Sequence, residues 1–234
     1  MNINRDYPCD ASNYLAGRRL PVTYLVIHYV GAFGSALANV KYYGGTSGIK
    51  ASAHFYVGHA DEGAAVYRSV DPADTAWHCG GGLQGSGGHA FYGQCLNANS
   101  IGIELCCHQD ENGTWYFDAE TVDTGVKLVK ELMAQYGINS DRVIRHYDVT
   151  GKNCPAPFVE NVDEWETFKA RLMETEETEM ANSVPSDWAQ EVAEWATENG
   201  LIKGDENGDC KWQDPLTREQ AMVIFKRFSE KFGS

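Results

Sequence analysis

The stretch 145-RHYDVTGKNCP-155 carries a histidine, a lysine and a cysteine at uneven intervals. It is rich in glycine and proline, which disfavour a helix, so we expect a strand end followed by a loop. Taken alone, the stretch suggests a cysteine nucleophile, Cys154, activated by His146. Metal ligation is the alternative, and other parts of the chain must decide between the two.

The chain before residue 174 alternates β-branched and aromatic runs with helical patterns, which predicts an α/β domain. The predicted strands are 23-TYLVIHYV-30, 53-AHFYVGH-59, 64-AAVYRSV-70, 101-IGIELCC-107 and 142-RVIRHYD-148. The predicted helices are roughly Ser35–Tyr43, Ala119–Tyr136 and Val162–Met173. The second of these has apolar residues at helical spacing, namely Val122, Val126, Val129, Leu132 and Met133.

Three polar side chains stand out against apolar strands. Glu104 lies in a strand that is otherwise nearly all apolar, where a carboxylate needs a partner or a function. His28 follows the run 24-YLVI-27, and His146 follows 143-VIR-145 in the same way. A lone strand histidine is more often structural, but two at strand ends could converge at one edge of a sheet.

A flexible loop after His146 would let Cys154 return toward it. Histidine and cysteine are preferred zinc donors, and zinc hydrolases typically use three protein ligands and leave the fourth position to water. The combination of His28, His146 and Cys154 therefore favours a zinc site over a cysteine nucleophile.

The composition excludes several classes of protein. The net charge is −14 with no Lys/Arg stripe, so nucleic-acid binding is disfavoured. There is no run of about 18 apolar residues, so we expect no membrane insertion. Residues 1–20 lack the features of a secretory signal, so we expect synthesis in the cytoplasm. The seven cysteines are scattered without a CxxC pair, whereas a redox or zinc-storage protein would be expected to cluster them.

The composition changes at 174-ETEETEMANS-183, a polar stretch that we interpret as a linker. It separates a domain of residues 1–173, with net charge −6 (13 basic and 19 acidic), from a tail of residues 184–234. Residues 174–234 have net charge −8 (6 basic and 14 acidic). The tail is about 50 residues long and marginal alone, so we expect it to lean on a partner copy.

Two helices are predicted in the tail. The segment 186-SDWAQEVAEWATENGLIKG-204 has Ser186 as N-cap and Trp188, Val192 and Trp195 on one face. Thr217 caps a second helix within 216-LTREQAMVIFKRFSEKF-232. The connecting segment 205-DENGDCKWQDP-215 hints at a calcium loop but does not follow the EF-hand pattern, so we favour a plain turn.

Five segments together make the sequence resemble the zinc-dependent N-acetylmuramoyl-L-alanine amidases of the phage endolysin and peptidoglycan-recognition superfamily, the type 2 amidases. They are 24-YLVIHYV-30, 52-SAHFYV-57, 76-AWHCGGG-82, 99-NSIGIELC-106 and 146-HYDVTGKNCP-155, in family order. The resemblance covers most of residues 20–160. It implies a central mixed β-sheet flanked by helices, with the tail forming a small all-α domain.

The same resemblance implies roles for individual residues. His28, His146 and Cys154 would bind Zn²⁺, Lys152 would lie beside the metal, and Glu104 would carry the proton. The positions that match the substrate groove are His54, Trp77 and His78, and the segment 76-AWHCGGGLQGSGGHAFYG-93 would form a groove wall. Some members have a tyrosine where this chain has Ala53, which leaves Glu104 as the stronger base candidate.

The implied reaction is hydrolysis of the amide between the lactyl group of N-acetylmuramic acid and the L-alanine of the stem peptide. Glu104 would take a proton from the attacking water and deliver it to the leaving amine. Lys152 would stabilise the oxyanion, an interaction commonly worth about 3 kcal/mol.

The tail resembles an S-layer homology module across 188-WAQEVAEWATENGLIKGD-205 and 214-DPLTREQAMVIF-225. Such modules bind secondary polymers of Gram-positive walls, so the resemblance implies a wall-binding partner. The modules usually occur in threes and this chain shows one, which makes a homo-oligomer through the tail plausible.

The leading interpretation is a phage or prophage endolysin, made in the host cytoplasm and released to the peptidoglycan by a holin. A bacterial autolysin of the same activity and a noncatalytic peptidoglycan-binding protein are the alternatives. Those noncatalytic members typically lack the cysteine ligand, and Cys154 is present. Met180 follows glutamates whose codons could form a ribosome-binding site, so it is also a candidate internal start.

Overall fold

The computed structural model describes residues 1–80, 89–174, 183–204, 208–214 and 216–233. The chain divides into two compact units, Met1–Met173 and Glu174–Ser234. Several predictions fall wholly or partly outside the described residues. They concern the glycine-rich part of the groove wall, most of the linker, the start at Met180 and the first residues of the 205–215 turn.

The first unit is built on a six-stranded sheet with the order β1-β5-β4-β7-β3-β10. The strands are β1 Ile3–Asn4, β2 Tyr14–Leu15, β3 Tyr24–Tyr29, β4 Phe55–Val57, β5 Val66–Arg68, β6 Thr75–Ala76, β7 Ser100–Leu105, β8 His108–Gln109, β9 Trp115–Tyr116 and β10 Val143–Arg145. Neighbours in the large sheet pair in parallel except β4 and β5, which are antiparallel. The predicted mixed sheet is therefore confirmed, with strands shorter than the sequence pattern suggested.

Helices flank this sheet in the first unit, and further helices lie in the second unit. They are α1 Ala36–Gly45, α2 Ala119–Tyr136, α3 His146–Thr150, α4 Ala156–Glu160 and α5 Val162–Arg171, followed in the second unit by α6 Gln190–Glu198 and α7 Arg218–Phe232. Among the described helices, none has both the length and the apolar character needed to cross a bilayer.

The two faces of the sheet have different environments because successive strand residues point to opposite sides. On one face, the main apolar core combines Ile27, Ile103 and Leu105 with residues of α2 and α5. On the other face lie the alternate residues, including His28 and Glu104. The register of β3 and β7 pairs His28 directly with Glu104.

The helix α2 has the predicted bounds, and its apolar stripe packs on the sheet as the helical spacing predicted. Val126, Val129 and Leu132 are buried in the main core. Gly137 follows in the left-handed conformation with φ 64°, and its N–H donates to the Met133 carbonyl. This glycine ends the helix without steric cost.

The segment after β10 differs from the prediction. The strand ends at Arg145, and residues His146–Thr150 form the helix α3 instead of a strand end and loop. The Asp148 carboxylate accepts the Arg145 N–H (2.8 Å) and pairs with its guanidinium (2.8 Å), which closes the first turn. Gly151 then ends the helix at φ 77°, so this glycine stops a short helix and does not prevent it.

The helices of the second unit are also shorter than predicted. Ser186 precedes a 3₁₀ turn at Asp187–Ala189, and its side chain makes no capping hydrogen bond within the described residues. The predicted apolar face is exposed: Trp188 and Val192 have relative exposures of 87% and 63%. The Thr217 cap is confirmed, since its hydroxyl accepts the Gln220 N–H.

Candidate metal centre and active site

The three predicted metal ligands lie together. One ligand atom from each of His28, His146 and Cys154 can be chosen so that all lie within 4.8 Å of one another, and all three residues are buried. Cys154 Sγ is 3.6 Å from His28 Nδ1. The imidazole rings of His28 and His146 have centroids 4.7 Å apart. The fold thus brings β3, the start of α3 and the Cys154–Pro155 cis peptide to one point.

Burial sets the protonation of these groups. It lowers the pKa of His28 well below its usual range, and together with the charge of Lys152 it lowers the pKa of His146 to about 4. Burial also raises the pKa of the Cys154 thiol to about 12. Both imidazoles are therefore neutral at pH 7, which is the form that binds a metal. The thiol would lose its proton on binding. Two imidazoles and one thiolate suit zinc and leave one position open, so these residues fit the ion.

A chain of hydrogen bonds fixes which nitrogen of His28 is free to bind. Ser100 Oγ donates to the Leu96 carbonyl (2.6 Å), so this oxygen accepts from His78 Nε2 (3.1 Å). His78 is neutral because burial lowers its pKa. Its Nδ1 therefore accepts from His28 Nε2 (3.0 Å), and the lone pair of His28 remains on Nδ1, facing Cys154. His78 thus orients the His28 ring, a role that the sequence interpretation did not assign to it.

Glu104 lies beside this group on β7. Its Oε2 is buried and has no hydrogen-bond partner among the described residues. Burial raises the pKa of Glu104 to about 8, against the opposing charge of Lys152. A buried carboxyl with an unsatisfied oxygen and a raised pKa is unfavourable for stability and typical of a proton carrier.

Lys152 is exposed and follows α3. Its charge lowers the pKa of Glu104, His28 and His146, so it acts on the same site electrostatically. The neighbouring Gly151 has φ 77°, and a Cβ added there would lie 2.4 Å from His89 Nε2. The His89 ring therefore packs closely against the backbone before Lys152.

His54 is fully buried and embedded in the protein. The Gly102 N–H donates to its Nδ1 (3.0 Å), which places the ring proton on Nε2, 3.4 Å from the Asp74 carbonyl. The Arg18 guanidinium lies 2.9 Å from that nitrogen. Burial, together with the charge of Arg18, lowers the pKa of His54 to about 3. This position favours a structural role over direct contact with a substrate.

Trp77 is half-buried and pairs with Ser52. The backbone N–H of Trp77 donates to the Ser52 hydroxyl (3.0 Å), and its backbone carbonyl accepts the backbone N–H of Ser52 (3.1 Å). Its role in a substrate groove stays a prediction.

Two supporting residues were missed from the sequence. Arg18 donates to the carbonyls of Pro72, Asp74, Asn97, Ala98 and Ser100. No local pattern marks it. For Gly102 a signal was present but was not used, since a glycine inside a strand often indicates close approach of another group. A Cβ at Gly102 would lie 2.5 Å from His78 Cγ.

The sequence profile of the N-acetylmuramoyl-L-alanine amidase family matches residues 18–157, more than half of the chain. This chain belongs to that family. The matched range contains all five residues predicted for the metal and the chemistry, which are His28, Glu104, His146, Lys152 and Cys154.

Several curated amidases resemble the chain. It is 32% identical to the N-acetylmuramoyl-L-alanine amidase BlyA of Bacillus subtilis (strain 168) over 63% of this chain and 40% of that one. It is 30% identical to the amidase XlyB of the same strain, over 78% of this chain and 50% of that one. The chain therefore spans half or less of the length of these relatives.

Solved structures agree with the fold. The catalytic domain of XlyA matches with a TM-score of 0.55 and 28% identity, covering 74% of this chain and 99% of that chain. The structure of PlyL matches with a TM-score of 0.58 at 21% identity, covering 74% and 98%. The latter likeness concerns the fold alone.

Proposed function

We propose that this amidase-family chain hydrolyses the amide bond between N-acetylmuramic acid and the L-alanine of the peptidoglycan stem peptide, and that it does so with zinc. The observation that carries this proposal is the convergence of His28, His146 and Cys154 beside the buried carboxyl of Glu104. Membership of the amidase family supports the choice of bond.

His28 Nδ1, His146 and Cys154 Sγ would hold the zinc. When bound, the ion would supply Lewis acidity, lowering the pKa of water and polarising a carbonyl oxygen. The charge of the bound ion would lower the pKa of Glu104, so that its ionised Oε2 would accept the proton of the attacking water and later deliver it to the nitrogen of the leaving L-alanine. The Lys152 ammonium would offset the negative charge that develops on the carbonyl oxygen. His78 would keep the His28 ring oriented throughout.

The test separates metal binding from proton transfer. Cys154→Ser should lose the zinc held at this site and hydrolysis together. Glu104→Gln should keep zinc but lose activity by about 10²–10⁴-fold, the usual contribution of a general acid or base. Zinc content and the release of new L-alanine amino termini from purified peptidoglycan are measured for each variant. The exposed Glu111 provides a matched control, Glu111→Gln, which should behave as wild type. Wild-type turnover in Glu104→Gln would refute its role.

The second candidate is a noncatalytic peptidoglycan-binding protein. It is less favoured because a cysteine and two histidines at one buried point suit a zinc hydrolase. The same assay discriminates between them, since a pure binding protein would sediment with peptidoglycan and release no amino termini.

The biological setting that we propose is an endolysin of phage or prophage origin, released from the host cytoplasm by a holin. A solved endolysin from Bacillus subtilis supports this, with 28% identity and a TM-score of 0.55. Expression in a Gram-positive host with and without a holin provides the test. Lysis that needs no holin would favour a bacterial autolysin.

The second unit is proposed to bind a secondary wall polymer and to join a second copy of the chain. Its apolar side chains support an interface, since Trp188, Met222 and Phe225 have relative exposures of 87%, 65% and 66%. The exposed Phe225 can be changed to serine without opening a core. Light scattering of Phe225→Ser should then show a shift toward monomer, and a monomeric wild type would refute self-association.

Lysis is proposed to depend on the second unit, because the net negative first unit gains no attraction from an anionic wall. Residues 1–173 alone should clear wall suspensions more slowly than the full chain at equal molarity, and equal clearing would exclude this dependence.

An internal start at Met180 would supply free copies of the second unit. Met180→Leu should then remove a short product from immunoblots.

A further inference from the structure

A second group of metal-binding side chains lies outside the site described above. One ligand atom from each of His59, His108 and Asp118 can be chosen so that all lie within 4.8 Å of one another. His108 Nε2 is 3.0 Å from Asp118 Oδ2, and His59 Nδ1 is 3.9 Å from the same oxygen. The two imidazole rings stack with centroids 4.1 Å apart.

One atom of this group lacks a partner. His59 is only 7% exposed, and its Nδ1 is buried with no hydrogen-bond partner among the residues that the structure describes. It faces the Asp118 carboxylate, but 3.9 Å is too long for a hydrogen bond. Leaving a buried ring nitrogen unsatisfied is unfavourable, and a cation bound between the nitrogen and the carboxylate would give the nitrogen a partner.

The spacing suits a small divalent ion. Zinc lies about 2.0–2.2 Å from nitrogen and oxygen ligands, which places two ligands of a tetrahedral site about 3.3 Å apart. The distances of 3.0 and 3.9 Å from Asp118 Oδ2 to the two histidines bracket this value. Small rotations of the His59 and His108 side chains would therefore be enough to bring their nitrogens to the distances that the ion requires.

His59 also has an alternative pair of neighbours, Glu62 and Cys106. Both carboxylates already accept backbone N–H groups, Glu62 Oε2 from Ala36 and His59 and Asp118 Oδ2 from Ala60, so access to the ion decides between the two sets. Cys106 is fully buried. In contrast, the side chains of His108 and Asp118 are 38% and 19% exposed, so an ion and its water can reach them.

The group joins three segments on the α2 face of the sheet. His59 follows β4 with the same alternation as Phe55 and Val57, which are in the main core. His108 begins β8, and Asp118 is the N-cap residue of α2. The sites are therefore separate, because the zinc ligand His28 and its neighbour Glu104 project from the opposite face.

We propose that His59, His108 and Asp118 form a second metal site for a divalent transition ion such as zinc. The site is structural: it fastens the end of β4, the β8–β9 hairpin and the start of α2 to one another. Two nitrogens and one carboxylate oxygen are a donor set that zinc accepts, and the partly exposed side leaves room for water as a further ligand.

Zinc alone is the probe for the test. Purified full-length protein is dialysed against a fixed excess of free zinc, and the metal bound per chain is measured by elemental analysis. Wild type should bind two ions, and Cys154→Ser and His108→Gln should each bind one. Asp118→Asn should also lose the second ion. Asparagine retains a carbonyl oxygen for the Ala60 N–H, so this variant should fold.

Glu111→Gln, an exposed change in the turn of the same hairpin, is the matched control and should bind two ions. Near-ultraviolet circular dichroism verifies that each variant is folded. A wild type that saturates with a single ion, lost in Cys154→Ser, would overturn the proposal. Retention of the second ion in both His108→Gln and Asp118→Asn would also overturn it, since the ion would then lie elsewhere.

Discussion

Replacing Gly102 by alanine should disturb the proposed metal centre without changing any of its three proposed ligands. The added Cβ would lie 2.5 Å from Cγ, 2.8 Å from Nδ1 and 2.9 Å from Cδ2 of the His78 ring. Carbon atoms in contact are normally about 3.5–4.0 Å apart, so the ring must move by about 1 Å. Its Nδ1 accepts the hydrogen bond from His28 Nε2 at 3.0 Å, and this bond would be stretched beyond its useful range.

The expected free-energy change has three parts. Overpacking a filled site costs about 1–3 kcal/mol, and losing the hydrogen bond costs about 0.5–1.5 kcal/mol. Against these, alanine restricts the unfolded chain and recovers about 0.4–1 kcal/mol. The net loss of about 0.5–4 kcal/mol corresponds to a drop in Tm of about 1–16 °C for a unit of this size.

Zinc affinity provides the second measurement. Changing a group that orients a metal-binding histidine typically costs about 10–100-fold in affinity, and we expect a loss in that range. Gly45→Ala is the control, since a Cβ there meets nothing within 4 Å; it should leave the zinc affinity unchanged and raise Tm slightly through the unfolded chain. A Gly102→Ala protein with the Tm and the zinc affinity of wild type would refute the orienting role of His78.

Other consequences follow from the same structure. The pKa of His54, about 3 in the fold, lies below the ordinary 6.5, so the unfolded chain binds more protons between these values and the free energy of unfolding falls as pH decreases through this window. Urea unfolding should show a shallower pH dependence in His54→Asn, and an unchanged slope would contradict the assignment. Arg18→Lys should lower the free energy of unfolding by about 3 kcal/mol or more, because a guanidinium that donates to five carbonyls cannot be replaced by one ammonium; urea unfolding measures this, and a loss below 1 kcal/mol would count against it. Lys152→Met should lower kcat by about 10²-fold while zinc content stays constant, and an unchanged kcat would remove Lys152 from the chemistry. Thr217→Ala should destabilise α7 by about 1 kcal/mol, measured by thermal circular dichroism, whereas Thr217→Ser should not.

The sequence was most informative where a polar residue interrupts an apolar strand. His28 and Glu104 could be identified in this way, because each is a polar residue in or next to an apolar run that predicts a strand. The distance between His28 and Glu104 could not be predicted from the sequence. It depends on the pairing of β3 with β7, which joins residues 76 positions apart.

The start of α3 was predicted wrongly for a physical reason. Glycine and proline were read as excluding a helix, but Gly151 lies at its end and Pro155 precedes the next one. The decisive contact is that of Asp148 with Arg145, two residues within the same short stretch. Capping of this kind can be read from a sequence only when the helix start is already known.

The supporting groups could not have been found from sequence alone. Ser100, His78 and His28 form a chain of hydrogen bonds through three segments, and nothing local in any of them indicates the others. In the second unit, the sequence pattern placed Trp188, Val192 and Trp195 on one apolar face. The structure instead buries the small residues Ala193 and Ala196 of α6. Helical periodicity identifies an apolar face but does not say what covers it.

The parallel register that pairs His28 with Glu104 has a consequence for engineering. The separation of these two residues is set by backbone hydrogen bonds of a central strand pair, not by any loop. Loops other than the segment that carries Lys152 and Cys154 can therefore be lengthened, shortened or exchanged while His28 and Glu104 keep their spacing. Directed evolution of this scaffold should accordingly tolerate wide loop libraries and reject changes in the two strands.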